Sequence, residues 1–254
     1  MNTPQQKQFK VLLIGDSCED EYIYGRCERI SPEAPVPVMN FSRIEKRAGM
    51  AENVFHNLKS FGLTVGFLTN SEKIIKTRFI DEKSNQQILR VDKENKISPL
   101  SEKIDFNFFD AIVISDYNKG FLTTDKLFEI VESTDIPIFI DSKKNNLPNK
   151  NNCFIKINDL EYGNLNKEVQ LDNLIITKGS IGCFYKDKLY PAEKVNVYDV
   201  VGAGDTFLSA LVYGYLKFNS IENAIILANK AAAIAVQHPG TYVLTTENAK
   251  DLCN

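Results

Sequence analysis

Residues 199–207, Asp-Val-Val-Gly-Ala-Gly-Asp-Thr-Phe, bring two glycines, an alanine and a carboxylate to the point where an apolar helical pattern begins. The small residues Gly202, Ala203 and Gly204 let a ligand approach the backbone. The free N–H groups of a helix's first turn, together with the helix dipole, attract anions. Asp205 falls in that turn, where the dipole favours negative charge, so the sequence predicts an ionised carboxylate able to accept a proton. An anion hole beside a carboxylate base is what phosphoryl transfer to an alcohol needs: one orients the hydroxyl, the other holds charge on the group in transit. The same residues also suit a plain tight turn with an acidic helix start.

Three further carboxylates, Asp16, Asp116 and Asp141, each follow an apolar run. In an open α/β sheet that edge is where ligands bind. One such residue reads as a loop cap; three on one rim point more to hydrogen-bond acceptors for sugar hydroxyls than any one does alone. Residues 177–182, Thr-Lys-Gly-Ser-Ile-Gly, join two expected strands and form either a hairpin-like turn or a set of backbone and hydroxyl donors to a phosphate. Asn158, with Glu161 three places on, has the spacing of a capping box, which explains the pair structurally. Tyr22, Tyr24 and Tyr117 suit packing or stacking on a ligand. Neither His56 nor His238 is given a role.

Other chemistries are excluded. No GxxxxGKS/T element is present, and Gly15 is followed directly by Asp16, so neither a P-loop nor a dinucleotide fingerprint follows the first apolar run. Five scattered cysteines without a CxxC, and only two histidines, leave no zinc spacing and read as reduced thiols. A net charge of −3 lacks the electropositive footprint of a nucleic-acid binder. With no run of 18 apolar residues and no leader-like start, the expectation is a soluble cytoplasmic protein, with no nucleic-acid or membrane partner.

The elements that must position these groups follow from the patterning. The first nine residues are polar and read as frayed. Strands are predicted at 10–15, 63–68, 111–115, 136–141, 153–157, 174–177 and 182–186, and helices at 50–61, 123–134 and from 159. Two helices, 203–218 and 220–237, are expected to close the chain, the second alanine-rich and suited to close packing. Alternation of strands and helices argues for an α/β sandwich around a mostly parallel sheet. The proline-rich segment 17–47 breaks the rhythm and reads as a small β lid on a single domain spanning 1–254.

Residues 201–207, Val-Gly-Ala-Gly-Asp-Thr-Phe, resemble the signature of the ribokinase-like (PfkB) carbohydrate kinases. Gly15-Asp16, residues 49–53, Asn158 with Glu161, and Thr177-Lys-Gly with Gly182 fall in that family's order, so the resemblance covers nearly the whole chain. Tyr24-Gly25, residues 29–38 (Arg-Ile-Ser-Pro-Glu-Ala-Pro-Val-Pro-Val), Asn85-Gln-Gln with Arg90-Val-Asp92, and residues 115–120 (Ser-Asp-Tyr-Asn-Lys-Gly) are similar to its D-glycero-D-manno-heptose 7-phosphate kinase subgroup. The resemblance implies a three-layer α/β/α domain whose β lid pairs two subunits, ATP and Mg²⁺ as cofactors with a monovalent cation left open, and a sugar phosphate as acceptor. By that likeness Asp205 is the general base, and Gly202, Ala203 and Gly204 form the anion hole. Asn158 and Glu161 place Mg²⁺ and phosphate, Glu161 as metal ligand. Thr177, Gly179, Gly182 and Asn229 line the ATP site. Asp16, Gly49 and Asn53 hold the sugar together with Asp116, and Lys143 reaches a sugar phosphate.

Departures from the pattern are Met50 for a second glycine, Glu52 for an alanine, Ser142 for a proline, and a short connection between residues 70 and 76, which leaves one pocket flank open or filled by a partner. No nucleotidyltransferase segment follows, so a second step is expected from another protein. A kinase for another sugar and a non-catalytic sugar- or nucleotide-binding regulator stay open as alternatives.

Overall fold

The computed structural model describes residues 8–166 and 171–253. Of the nine residues read as frayed, 1–7 lie outside that range.

β1 (Lys10–Gly15) shows why its sequence is an uninterrupted apolar run. Val11 and Leu13 enter one core and Leu12 and Ile14 the other; a parallel strand covered on both faces has no polar side to display. The chain continues through β2 (Ser17–Ile30), β3 (Pro37–Met50), α1 (Ala51–Ser60), β4 (Thr64–Thr69), β5 (Ile74–Asp81), β6 (Gln86–Glu94), β7 (Ala111–Asp116) and α2 (Thr124–Glu132). It goes on through β8 (Ile138–Ser142), β9 (Cys153–Asn158), α3 (Asp159–Gly163), β10 (Leu174–Thr177), β11 (Gly182–Tyr185) and β12 (Lys188–Pro191). The last elements are α4 (Ala203–Phe218), α5 (Ile221–Ala235) and α6 (Thr246–Cys253).

Eight strands form the main sheet in the order β12-β11-β10-β9-β8-β7-β1-β4. From β4 to β10 they run parallel; β11 and β12 are antiparallel additions. On one face Val54 and Leu58 of α1, Leu208 and Leu211 of α4, and Ala224 and Ala228 of α5 pack over Val11, Leu13, Val113 and Phe139. On the other, Leu127, Ile130 and Val131 of α2 cover Leu12, Ile14, Ile112 and Ile138. This is the expected three-layer α/β/α sandwich. The alanine-rich helix packs as closely as its composition allows: a Cβ on Gly214 of α4 would lie 2.8 Å from Ala224 Cα of α5.

Two expectations are corrected. A third helix, α6, closes the chain; its eight residues offer little more than Ala249 and Leu252 to the core, too weak a pattern to read from sequence. The lid is larger than residues 17–47. It is a four-stranded sheet, β3-β2-β5-β6, built from Ser17–Met50 and from the hairpin of β5 and β6. β6 is exposed along its whole length, so no buried face imprints a pattern on it. The short connection after β4 leads straight into this hairpin. Asn70 clamps it, its Oδ1 accepting the Ser17 N–H at 2.7 Å and its Nδ2 donating to the Glu72 carbonyl at 2.6 Å.

Candidate active site

The sheet places its chemistry on one rim. β1, β7, β8, β9 and β10 end side by side, so Asp16, Asp116, Asp141 and Asn158 stand on the same edge. The strand order reverses around β1, the kind of switch point where α/β proteins open a crevice. The turn before α4 faces this edge. Gly202 sits there at φ 78°, and a Cβ on it would press on Asn53 Nδ2 at 2.9 Å and the Thr241 backbone at 3.3 Å. Glycine is therefore required for both conformation and space. Asp199 shapes the turn by accepting the N–H groups of Val201 at 3.0 Å and Gly240 at 2.8 Å.

Asp205 lies in the first turn of α4 and is almost wholly buried. Asn53 Nδ2 donates to its Oδ2 at 2.9 Å and the Tyr117 hydroxyl donates to its Oδ1 at 2.8 Å. Burial dominates and pushes its pKa up to about 6, while these two hydrogen bonds pull the other way. The helix dipole alone would predict a strongly acidic carboxyl, and desolvation overrides it. At neutral pH the group is still mostly ionised, but its pKa is close enough to neutrality to take and return a proton.

α1 supplies the support. Asn53 and Asn57 are one helical turn apart on the same face. Asn57 Nδ2 donates to the Asn53 carbonyl at 3.0 Å and to its Oδ1 at 3.2 Å, and Asn57 Oδ1 accepts the Leu244 N–H at 3.0 Å. Asn53 is thus held with its amide nitrogen toward the carboxylate.

A cationic group flanks this carboxylate. Lys156 of β9 is buried and ion-paired with Asp141 Oδ2. A Cβ on Gly204 would lie 2.9 Å from Lys156 Nζ, so the ammonium rests against the first turn of α4. Burial works against its charge, yet Asp141, helped by Asp205 and Glu161, more than offsets that and raises its pKa. Lys143 holds its ammonium 4.3 Å from the centre of the Tyr117 ring, and Lys76 of the lid places a second at 5.4 Å. Desolvation lowers the Lys143 pKa; Glu161 opposes that and Lys76 adds to it.

The other expected site residues take definite places. The Asp16 carboxylate is buried and accepts the backbone N–H groups of Tyr117 at 2.8 Å, Lys119 at 3.2 Å and Phe121 at 3.3 Å, so it shapes the loop that carries Tyr117. Burial raises its pKa. Asp116 accepts from Ser142 Oγ at 2.6 Å and pairs with Lys144 at 3.1 Å. Gly49 leaves room for Cys18 Sγ, which a Cβ would meet at 2.6 Å, and for the Asp20 carboxylate paired with Arg78 of the lid. Met50, at φ 58°, is buried in the core cluster that contains Leu12 and Ile74.

Asn158 and Glu161 form both halves of the capping box: Asn158 Oδ1 accepts the Glu161 N–H at 2.9 Å, and Glu161 Oε2 accepts the Asn158 N–H at 2.8 Å. Thr177 Oγ1 donates to the Ile157 carbonyl at 3.2 Å. Gly179 stands open within a 3₁₀ turn, and Gly182 is pressed against Tyr190 and Ala192. Asn229 donates its amide to the Tyr190 carbonyl at 3.0 Å, tying α5 to β12.

Sequence reasoning missed Lys156 and Asn57. Lys156 did leave a trace, as a lone charged residue in the otherwise apolar run Cys-Phe-Ile-Lys-Ile. Asn57 left none, because its partners lie in the same helix and at Leu244, far along the chain.

A profile of the pfkB family of carbohydrate kinases matches residues 156–248, which contain Lys156, Glu161 and Asp205. The bifunctional protein HldE of a Nitratiruptor species is 31% identical over 297 aligned positions, covering 95% of this chain and 64% of its own. HldE of Campylobacter jejuni subsp. jejuni is 33% identical over 298 positions, covering 96% and 65%. The chain therefore spans just under two thirds of the length of these relatives. The alignments exceed the chain's 254 residues, so the relatives carry extra residues within the matched span.

Among solved structures, ribokinase from Thermotoga maritima superposes with a TM-score of 0.69 at 16% identity, covering 96% of this chain and 99% of its own. Arabidopsis thaliana ribokinase complexed with ribose and ATP superposes at 0.66 and 12% identity, covering 97% and 99%. These two share the fold. The profile spans the turn that carries Asp205, so the chain carries a pfkB carbohydrate kinase domain at residues 156–248, and its likeness to HldE runs through nearly all of the sequence.

Proposed function

We propose that this chain transfers the γ-phosphoryl group of ATP to the anomeric hydroxyl of D-glycero-D-manno-heptose 7-phosphate, giving the 1,7-bisphosphate. The observation that carries the kinase reading is Asp205: a buried carboxylate, ionised at neutral pH, aimed by Asn53 and Tyr117 within the first turn of α4. The HldE relatives and the heptose-kinase likeness of residues 29–38 and 115–120 support the choice of sugar.

In this reading the acceptor hydroxyl donates its hydrogen to Asp205, which takes the proton as the oxygen bonds to phosphorus. The Gly202, Ala203 and Gly204 backbone meets the charge on the transferring group. Thr177, Gly179, Gly182 and Asn229 line the nucleotide side. Asp16, Gly49, Asn53 and Asp116 shape the sugar side, Asp16 and Asp116 by fixing loops, and Lys143 faces the sugar's phosphate. Mg²⁺, when bound, neutralises phosphate charge. This ion is commonly held by one or two carboxylates plus phosphate oxygens and water, and Glu161 offers a partly exposed carboxylate whose Oε2 is fixed by the Asn158 N–H. Glu161 is the proposed ligand.

The lid's paired row Ile44, Ile23, Phe79 and Leu89, with Ile44 46% and Leu89 53% exposed, is proposed as the face covered by a second copy of the chain. A monomeric mass in sedimentation would remove that part. The enzyme is proposed to work in the cytoplasm, where ATP is available; a fluorescent fusion reads this directly.

The decisive assay is ADP release across a panel of sugars. The heptose 7-phosphate should give the highest kcat/KM; preference for an unphosphorylated sugar or for a different sugar phosphate would overturn the substrate assignment. The acid limb of the pH–rate profile should fall about tenfold per pH unit below about 6, where Asp205 becomes protonated and stops accepting. Tyr117→Phe removes a donor to the charged form, so that limb should move upward, by about one pH unit. A limb unmoved by Tyr117→Phe would show that the titrating group is not Asp205.

A further inference from the structure

We propose that Lys156 is a further catalytic residue, the cation that meets the transferring phosphoryl group beside the first turn of α4, and that Asp141 is the positioning residue that holds it there. This rests on the kinase reading above. Lys156 interrupts an apolar strand: Phe154 lies in one core and Ile155 and Ile157 in the other. Its alternation with Phe154 turns it toward the α4 face of the sheet. An apolar residue there would cost nothing in desolvation, whereas a buried ammonium costs several kcal/mol unless it is paired.

Its neighbour is also the wrong sign for a purely structural role. The ammonium rests against Gly204 at the amino end of α4, where the helix already carries partial positive charge. Asp141 is its direct partner, and Asp205 and Glu161 act on the ammonium from farther away. The absence of a side chain on Gly204 lets the ammonium approach the turn, so it and the free amides of the α4 first turn stand side by side on one spot of the rim. Phosphoryl transfer spreads negative charge over the equatorial oxygens of the group in transit, and a fixed cation in a site sheltered from water is worth far more there than in bulk.

The step balances without any proton from Lys156. The acceptor oxygen bonds to the γ-phosphorus, its proton passes to Asp205, and the bond from phosphorus to the bridging oxygen breaks, its electron pair leaving with ADP. Lys156 keeps its charge throughout and contributes hydrogen bonds only.

The test is calorimetry of ATP and ADP binding to the whole chain, beside turnover. Lys156→Met should leave ADP affinity within about twofold, weaken ATP by about tenfold to a hundredfold, and lower kcat by about 10²–10³. An ATP-over-ADP preference unchanged from wild type would overturn the role of Lys156 while leaving the kinase reading intact; a wild-type chain that binds no ATP would overturn both. Because Lys156→Met leaves Asp141 unpaired, the double variant Lys156→Met/Asp141→Asn provides the folded control. If Lys156 contacts the phosphoryl group, the double variant should fold and show the same selective loss for ATP. Recovery of wild-type ATP preference and turnover in the double variant would show that Lys156 serves only to neutralise Asp141, and would overturn the proposal.

Discussion

Asp205→Asn should lower turnover by about 10²–10⁴ while leaving the fold and ATP affinity nearly unchanged. The replacement is the same size and keeps one acceptor oxygen, so either Asn53 or Tyr117 retains its partner. What disappears is the ability to take a proton from the acceptor hydroxyl. Stability should change little: an unfavourable buried charge is removed, and one hydrogen bond is lost as an NH₂ group turns toward a donor. Steady-state ADP release with a melting curve separates the effects. A near-normal kcat in a protein of unchanged Tm would remove Asp205 from the chemistry.

The largest structural effect is expected at Gly15→Ala. A Cβ there would lie 2.8 Å from the Ser115 carbonyl carbon, closer still to its oxygen, and 3.1 Å from Ala51 Cβ. Ser115 sits on the neighbouring central strand β7, so the obstacle is backbone that cannot rotate away. Overpacking of this kind costs about 1–3 kcal/mol and sometimes more, and we expect the upper end, a Tm lower by about 6–12 °C. Activity should fall as well. The Asp16 N–H donates to the Ser115 carbonyl at 3.2 Å, and the Asp16 carboxylate organises the loop bearing Tyr117. Gly62→Ala is the matched comparison: Gly62 has φ 80° but nothing within 4 Å of a Cβ, so only conformational strain of about 1–2 kcal/mol remains. Equal melting points for the two variants would contradict the close approach of β1 and β7.

The parts of the molecule legible in its sequence are those where burial writes a local pattern. β1 and β7 are covered on both faces and read as apolar runs, so the sequence pattern alone puts their ends, with Asp16 and Asp116, on one rim. The glycine turn and α4 were legible because the turn's residue types and the helix's apolar content are both local. Legibility failed where a structure depends on partners distant in sequence. β5 pairs in parallel with β2 across more than fifty residues, and β6, exposed throughout, keeps no apolar face to announce itself. The roles of the carboxylates were equally hidden. Asp16 accepts from amides about one hundred positions away, and only the fold reveals that it also holds the loop bearing Tyr117. The elevated pKa of Asp205 follows from burial beneath α1 and the Tyr117 loop; the helix position alone argued for the opposite shift.

The most direct single measurement is phosphorus NMR of the wild-type chain, and of Asp205→Asn in parallel, incubated with ATP, Mg²⁺ and D-glycero-D-manno-heptose 7-phosphate. The expected result is a new anomeric phosphate resonance growing in step with ADP in the wild-type sample and almost absent with Asp205→Asn. Unconsumed ATP in the wild-type sample, or the same resonance at the same rate in both, would contradict a buried Asp205 acting as the base of a sugar kinase.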